Sequence, residues 1–436
     1  MKRKFAILVR TTGRKLITFA LLAMLGSLAT GVAATAQLRT GRGTVVTPQS
    51  SIEHPVDIGV RAHTNTMLFI PAGGLRQPAE GALVGPPVSG LFVETPASIA
   101  CLYFLVSTRV TGCNPTTAKV NPSGGSKAIA VVDAYHDPTA ASDLAKFSTQ
   151  FGLPAATFTQ VYAQGSKPPL DATGGWELEE SLDIEWTHAM APKAHIYLVE
   201  AESNSYTNLF AAVVKAAELV NAAGGGEVSM SWGGSEFSGE TEFDSDMIES
   251  GVVFFVGIAD SPGPAYPGAS PNVVAVGGST LSRNPTTGAF ERETTWDLTG
   301  NGVSVYEPRP TYQNSLAKEL GDHRGLPDIA VAGNPETGVW VYDSTAVDGL
   351  EPVEPGWFVL GGTSLSSPLL AGIVNLAGNF YTSSEDELMT IYSHLGVAAD
   401  FNDISYGICG IYAGDIAANG WDLCSGVGSV HGLKEK

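Results

Sequence analysis

Ser364 lies between the glycine pair Gly361 and Gly362 and a long apolar run, in "WFVLGGTSLSSPLLAGIVN". Glycines let a chain turn sharply and approach a ligand closely. A hydroxyl at the start of the helix that follows points outward, near the positive end of the helix dipole. Such a serine is either an N-cap or a nucleophile, and Pro368 suits early-helix chemistry under both readings. A second stretch, "GGWELEESLDIEWTHAMAP", carries Glu179 and Asp183 four residues apart, on one face of a helix. Two carboxylates at that spacing repel when both are ionised, so one tends to hold a proton and the pair can pass protons to a third group. On an ordinary surface helix the same pair is only mildly unfavourable. A carboxylate base also works at a pH where an imidazole is already protonated.

Other residues compete for these roles. Glu180 is three residues before Asp183, and Glu177 lies on the same helix. On sequence alone both remain alternatives to Glu179; if Glu179 carries the role, Glu180 turns about 100° around the helix and is solvated. An Asp, His and Ser arrangement is offered by Asp133 in "AIAVVDAYHDP" with His188 or His136. His188 sits near a helix end, where an imidazole caps carbonyls or packs. His136 follows Asp133 by three residues in a turn, and Asp133 ends a strand or gives polar support.

The elements that must position these residues are legible as alternating patterns. Apolar, β-branched runs predict strands at 128–134, 195–201, 227–232, 252–258, 273–276, 329–332 and 339–342. Helical spacing predicts helices over 138–151, 176–190, 205–223, 241–250 and 364–379. The fold class is therefore α/β: a doubly wound, mostly parallel sheet covered on both faces, with ligands at the carboxyl ends of its strands. Residues 37 to 118 are rich in Gly, Pro, Thr and Ser and read as an extended arm or partial prosegment.

At 436 residues and 44% hydrophobic, the chain can bury a large core. Six basic residues precede the apolar run "LITFALLAMLGSLATGVA", which ends near Ala34, Thr35 and Ala36, so residues 1 to 36 read as a secretory signal peptide. Its removal takes six basic and no acidic residues from totals of 24 and 44, leaving a formal charge near −26. That charge excludes nucleic acid as a partner and suits an acidic milieu. The expected location is secreted or periplasmic, with no membrane span after signal cleavage, as a monomer. Four cysteines form two local pairs, Cys101 with Cys113 and Cys409 with Cys424; an oxidising compartment predicts two short-loop disulfides.

The ordered motifs resemble one family, the sedolisins: acid-acting serine carboxyl peptidases with a subtilisin-like fold. "EESLDIEW" looks like the family's paired-carboxylate helix and "VSMSWGGSE" like its substrate-lining strand. "GIADSPGPAYPGASPNVVAVGGST" resembles its oxyanion aspartate loop, and "GGTSLSSPLLAG" its nucleophile segment. "ETTWDLTGNGVSVYEPRPTYQ" and "RGLPDIAVAGNPETGVWVY" are similar to later blocks, and "DFNDISYG" with "NGWDLCSGVGSV" to a C-terminal calcium loop. Together they cover residues 120 to 430, within a peptidase domain of 119 to 436.

The resemblance implies Ser364 as nucleophile, Glu179 as general base and later acid, Asp183 as its tuning partner and Asp260 in the oxyanion hole. An aspartate serves there only as a neutral acid that donates its proton. Ser229, Ser231, Trp232, Gly233 and Gly234 would bind substrate by strand addition. Asp403, Ile404, Ala418, Gly420 and Asp422 would hold one structural Ca2+. Three departures stand out: Ala259 replaces the usual glycine before Asp260, Asn301 replaces another, and the segment from 37 to 118 is short for the family's propeptide. The expected function is a secreted endopeptidase acting on proteins or peptides at acidic pH through an acyl-enzyme. The rivals are a subtilisin-type protease and a non-catalytic peptide-binding protein on the same fold.

Overall fold

The computed structural model describes residues 36–39, 42–75, 77, 84–350, 355–411, 414–434 and 436. The signal-peptide expectation, but for Ala36, therefore lies outside the described residues.

Along the strand Ala128–Ala134 every residue is buried, because both faces of the sheet are covered. Ile129 and Val131 face one core while Ala128, Ala130 and Val132 face the other, the period-two alternation of a strand. Among the described residues this main sheet has eight strands. Its parallel centre runs Val274–Arg283, Val252–Gly257, Gly226–Met230, Ala128–Ala134, His195–Ala201 and Thr157–Tyr162, in spatial order. Ile329–Ala332 joins Val274–Arg283 in parallel, and Phe290–Thr295 pairs with it antiparallel.

Helices cover both faces. Gly175–Met190 and Thr363–Ala377 pack on each other over one face, with Ala140–Phe151 beside the first; Tyr206–Ala222 covers the opposite face. The segment expected as a helix over 241–250 is instead a 3-10 stretch, Glu240–Met247.

A further expectation is corrected in the sheets. The strand Val339–Asp343 is not in the parallel sheet; it pairs antiparallel with Gly356–Gly361 in a second, five-stranded sheet. The described residues between 37 and 118 carry regular structure. Gly43–Thr47 and Met67–Pro71 are strands of that second sheet, and Met67 and Leu68 pair directly with Gly361 and Leu360. Further on, Pro96–Leu102 is a wholly buried helix with a capping box between Thr95 and Ser98, and Ile99 and Leu102 enter the main core. The buried Glu94 carboxylate is paired with the Arg283 guanidinium, which ties this segment to the sheet. The short apolar runs of this segment complete a sheet whose remaining strands, Val339–Asp343 and Gly356–Gly361, lie far along the chain, a pairing no local pattern records.

Both disulfides form, Cys101 to Cys113 and Cys409 to Cys424. No helix of the described residues is long and apolar enough to cross a membrane.

Candidate active site

The strand Gly356–Gly361 delivers the chain to Gly362, whose φ of +109° is a conformation L side chains rarely adopt. A Cβ there would lie 2.0 Å from the Asn65 carbonyl oxygen and 2.5 Å from Asp260 Oδ2. The turn opens the helix Thr363–Ala377 with Ser364 in its first turn, fully buried. No side chain caps this helix, so Ser364 is not its N-cap. Its hydroxyl donates to the Ser231 carbonyl at 3.0 Å and accepts from the Asn65 N–H at 3.0 Å.

The helix Gly175–Met190 is buried along its whole length, with five carboxylates. Glu179 faces the Ser364 and Thr66 hydroxyls, and Thr66 Oγ1 donates to Glu179 Oε2. Asp183 accepts from the Ser231 hydroxyl at 2.9 Å, and the carbonyl of the same Ser231 accepts from the Ser364 hydroxyl, so Ser231 joins the second carboxylate to the nucleophile. Burial raises Glu179 well above the ordinary carboxylate range and the nearby Asp133 raises it further; the two hydroxyls favour its charged form. Asp183 is raised by burial, then by Asp133 and by Glu179.

Asp133 is the residue whose part the sequence left open. It is fully buried, neither carboxylate oxygen has a hydrogen-bond partner among the described residues, and burial followed by Glu200 pushes it up to about 8. A lone charge shared by Asp133, Glu179 and Asp183 is best placed where hydroxyls surround it: two face Glu179, one reaches Asp183, none reaches Asp133. The strand-end position of Asp133, level with the carboxyl end of a parallel sheet, was the available signal.

Glu180 corrects another expectation. It is buried rather than solvated, because the second sheet and the Ala140–Phe151 helix cover the far side of its helix. Neither oxygen has a partner among the described residues, and burial holds it protonated well above the ordinary range.

Asp260 approaches from the loop after Val252–Gly257. Its Oδ1 accepts from the Thr363 N–H at 2.7 Å and from the Thr363 hydroxyl at 3.1 Å, while Oδ2 has no partner among the described residues. Burial pushes it up to about 8 despite those bonds, so at acidic pH it is a neutral acid. Ala259 before it adopts φ +98°, the conformation for which glycine is suited, yet the carboxyl is still anchored on Thr363. Asn301 is also accommodated: its side chain accepts from Gly263 N–H at 2.9 Å and donates to Asp415 at 3.0 Å, bracing the same loop.

A cleft of about 510 Å³ opens above these groups, lined by Gly233, Gly234, Asp260 to Ala265 and arm residues including His63, Thr64 and Asn65. Ser229 does not line it: its hydroxyl lies at 2.9 Å from Ser367, buried beneath the nucleophile helix. Trp232 does not line it either: its indole is buried and donates to the Val132 carbonyl at 2.8 Å. Neither imidazole meets Ser364. His188 is hydrogen-bonded to the Pro154 carbonyl, and His136 is paired with Glu200.

Near the carboxyl end, the Gly420 N–H donates to Asp403 at 3.1 Å and the Ala418 N–H to Asp422 at 2.8 Å, so one loop gathers both carboxylates. Asp422 is further held by Cys424 and Ser425, and Ser425 reaches the Ile404 carbonyl. An all-oxygen donor set of two carboxylates and three main-chain carbonyls is chemistry that fits a hard cation. No group of three or more His, Cys, Asp or Glu side chains suited to a metal occurs among the described residues.

No protein-family model matches the chain. Kumamolisin of Bacillus sp. (strain MN-32) is 29% identical over 349 residues, 71% of this chain and 59% of that one. Sedolisin of Pseudomonas sp. (strain 101) is 25% identical over 369 residues, 73% of this chain and 60% of that one. In sequence this chain is similar to these sedolisins. The fold of this sedolisin-like chain matches the structure of Pseudomonas sedolisin, a serine-carboxyl proteinase complexed with two molecules of pseudo-iodotyrostatin. The TM-score is 0.62 at 21% identity, over 78% of this chain and 95% of that one. The sedolisin-like chain spans about three fifths of the length of the two curated relatives named here.

Proposed function

We propose that this chain is an exported serine carboxyl endopeptidase that hydrolyses proteins at acidic pH through an acyl-enzyme. One observation carries the reading: Ser364, Glu179 and Asp183 gather in a buried cluster beside Asp260, which lines the cleft, and neither His136 nor His188 joins them. In the proposed reaction Ser364 Oγ attacks the substrate carbonyl and its proton passes to Glu179. Glu179 then protonates the leaving amine, and a water repeats the sequence in reverse. The Ser364 N–H and a neutral Asp260 donate to the oxyanion, each worth about 3 kcal/mol of barrier. Acidic pH suits the set because Asp260 must hold its proton while the carboxylate cluster keeps one charge. Substrate would add a strand to Trp232–Ser235, through the backbone of Ser231, Gly233 and Gly234. Asp403 and Asp422, with the carbonyls of Ile404, Ala418 and Gly420, would hold a calcium ion that braces the loop closed by Cys409 and Cys424.

A second reading, a non-catalytic peptide-binding protein, is favoured by the arm strand that lies in the cleft. Assaying the intact chain, Ser364→Ala and Glu179→Gln on denatured protein near pH 4 separates the two. Hydrolysis by the first alone supports the peptidase; equal behaviour of all three ends it.

A further inference from the structure

The arm crosses the cleft in the attitude of a substrate. His63–Thr64 pairs antiparallel with Trp232–Ser235, His63 opposite Gly233 and Thr64 opposite Trp232. The next residue continues the ladder: the Asn65 N–H donates to the Ser231 carbonyl at 3.2 Å. The Asn65 carbonyl oxygen accepts from the Ser364 N–H at 3.0 Å, on the side of Gly362 where the unpartnered oxygen of Asp260 also lies. That is the place of an oxyanion between its two donors. The Asn65 side chain is buried beside the last residue of a sheet strand, its amide donating to the Gly257 carbonyl at 2.9 Å. Thr66, across the peptide bond, sets its hydroxyl on Glu179.

Resting on the peptidase reading, we propose that Asn65–Thr66 is the chain's own scissile bond and that the pocket at Gly257 selects asparagine on the acyl side of the bond cut. The selection has a physical basis. A side chain lacking an N–H donor forfeits the bond to a buried carbonyl, and a site built around one hydrogen bond rejects analogues that cannot make it. In the first turnover Ser364 Oγ bonds to the Asn65 carbonyl carbon. The Ser364 proton passes through Glu179 to the Thr66 nitrogen as the carbon–nitrogen bond breaks. Water then hydrolyses the Asn65 ester, restoring Ser364 and leaving Thr66 as a new amino terminus.

The ground state is a resting one. The Ser364 hydroxyl points to the Ser231 carbonyl and the Thr66 hydroxyl occupies the base, so cleavage needs Ser364 to turn toward Glu179. Backbone pairing holds the arm in place meanwhile, and the Ser51 hydroxyl donates to the Thr66 carbonyl at 3.0 Å.

The test uses the intact chain and Ser364→Ala, incubated near pH 4 and at neutral pH, with intact mass and amino-terminal sequencing. The expected result is a new terminus at Thr66 at acidic pH in the intact chain alone. Quenched peptides differing only in Asn, Ala or Leu before the cut test selection without a folding risk. Asn is expected to exceed the others by about 10 to 100-fold in kcat/KM. Ser364-dependent proteolysis with no cut after Asn65 and no preference for Asn overturns the inference and leaves the peptidase standing. Absence of any Ser364-dependent cleavage overturns both.

Discussion

Asp260 spends one carboxylate oxygen on Thr363, at 2.7 Å from its N–H, and keeps the other without a partner beside Gly362. The anchored oxygen fixes which way the free one points, so a side chain in a loop behaves as a preorganised donor. Asp260→Asn can keep the anchor through its Oδ1 and place an N–H where the free oxygen stood. We expect Asp260→Ala to lower kcat by about 10² to 10³-fold. Asp260→Asn should retain more activity and extend it to higher pH, because its donor does not titrate. Steady-state pH profiles of the three proteins check this; identical profiles for Asp260→Asn and the parent would remove Asp260 from the site.

Asp133 raises both Glu179 and Asp183 without a hydrogen bond to either. At acidic pH Asp133 holds its proton, so Asp133→Asn keeps the volume and removes only the ionisation that burial and Glu200 push up to about 8. The acid limb of kcat/KM should stay in place and activity should persist to higher pH, because no charge then develops at 133 beside Glu179 and Asp183. An unmoved alkaline limb would mean that Asp133 does not act on the base.

Stability should also follow pH. Burial pushes Asp133, Asp260 and Glu387 up to about 8, and Glu177 and Glu200 up to about 7. Below about pH 4 the unfolded chain holds these protons too, and the folded state has its full advantage. As pH rises toward 8 the unfolded chain ionises first, and each group costs up to about 1.4 kcal/mol per unit. Melting of Ser364→Ala, which cannot digest itself under the proposed mechanism, should show a higher Tm at pH 4 than at pH 8. The reverse order would contradict the buried, protonated carboxyls.

Ala259 at φ +98° carries backbone strain that glycine would not. Ala259→Gly should therefore stabilise the fold by about 1 kcal/mol, after the entropy that glycine adds to the unfolded chain. Urea unfolding measures it, and a loss of stability would show that Ala259 is unstrained.

For the proposed calcium loop, a chelator should lower Tm and added calcium should restore it. Saturation at a hundredfold excess over Kd is worth about 2.7 kcal/mol. Asp403→Asn should abolish the response while leaving the apo Tm close to that of the parent. A Tm indifferent to chelator and calcium would rule the site out.

Periodicity alone placed Ala128–Ala134, His195–Ala201 and the helices around Glu179 and Ser364, since strand and helix spacings are local properties of the chain. The residue types at 179, 183 and 364 likewise carried their chemistry in the sequence. Tertiary structure decided the rest. It buried Glu180, took Val339–Asp343 out of the parallel sheet, turned Ser229 away from the cleft, and laid Asn65 against Ser364 across 299 residues. Those outcomes depend on which surfaces meet, and a one-dimensional pattern of apolar and polar residues records only how each surface is composed.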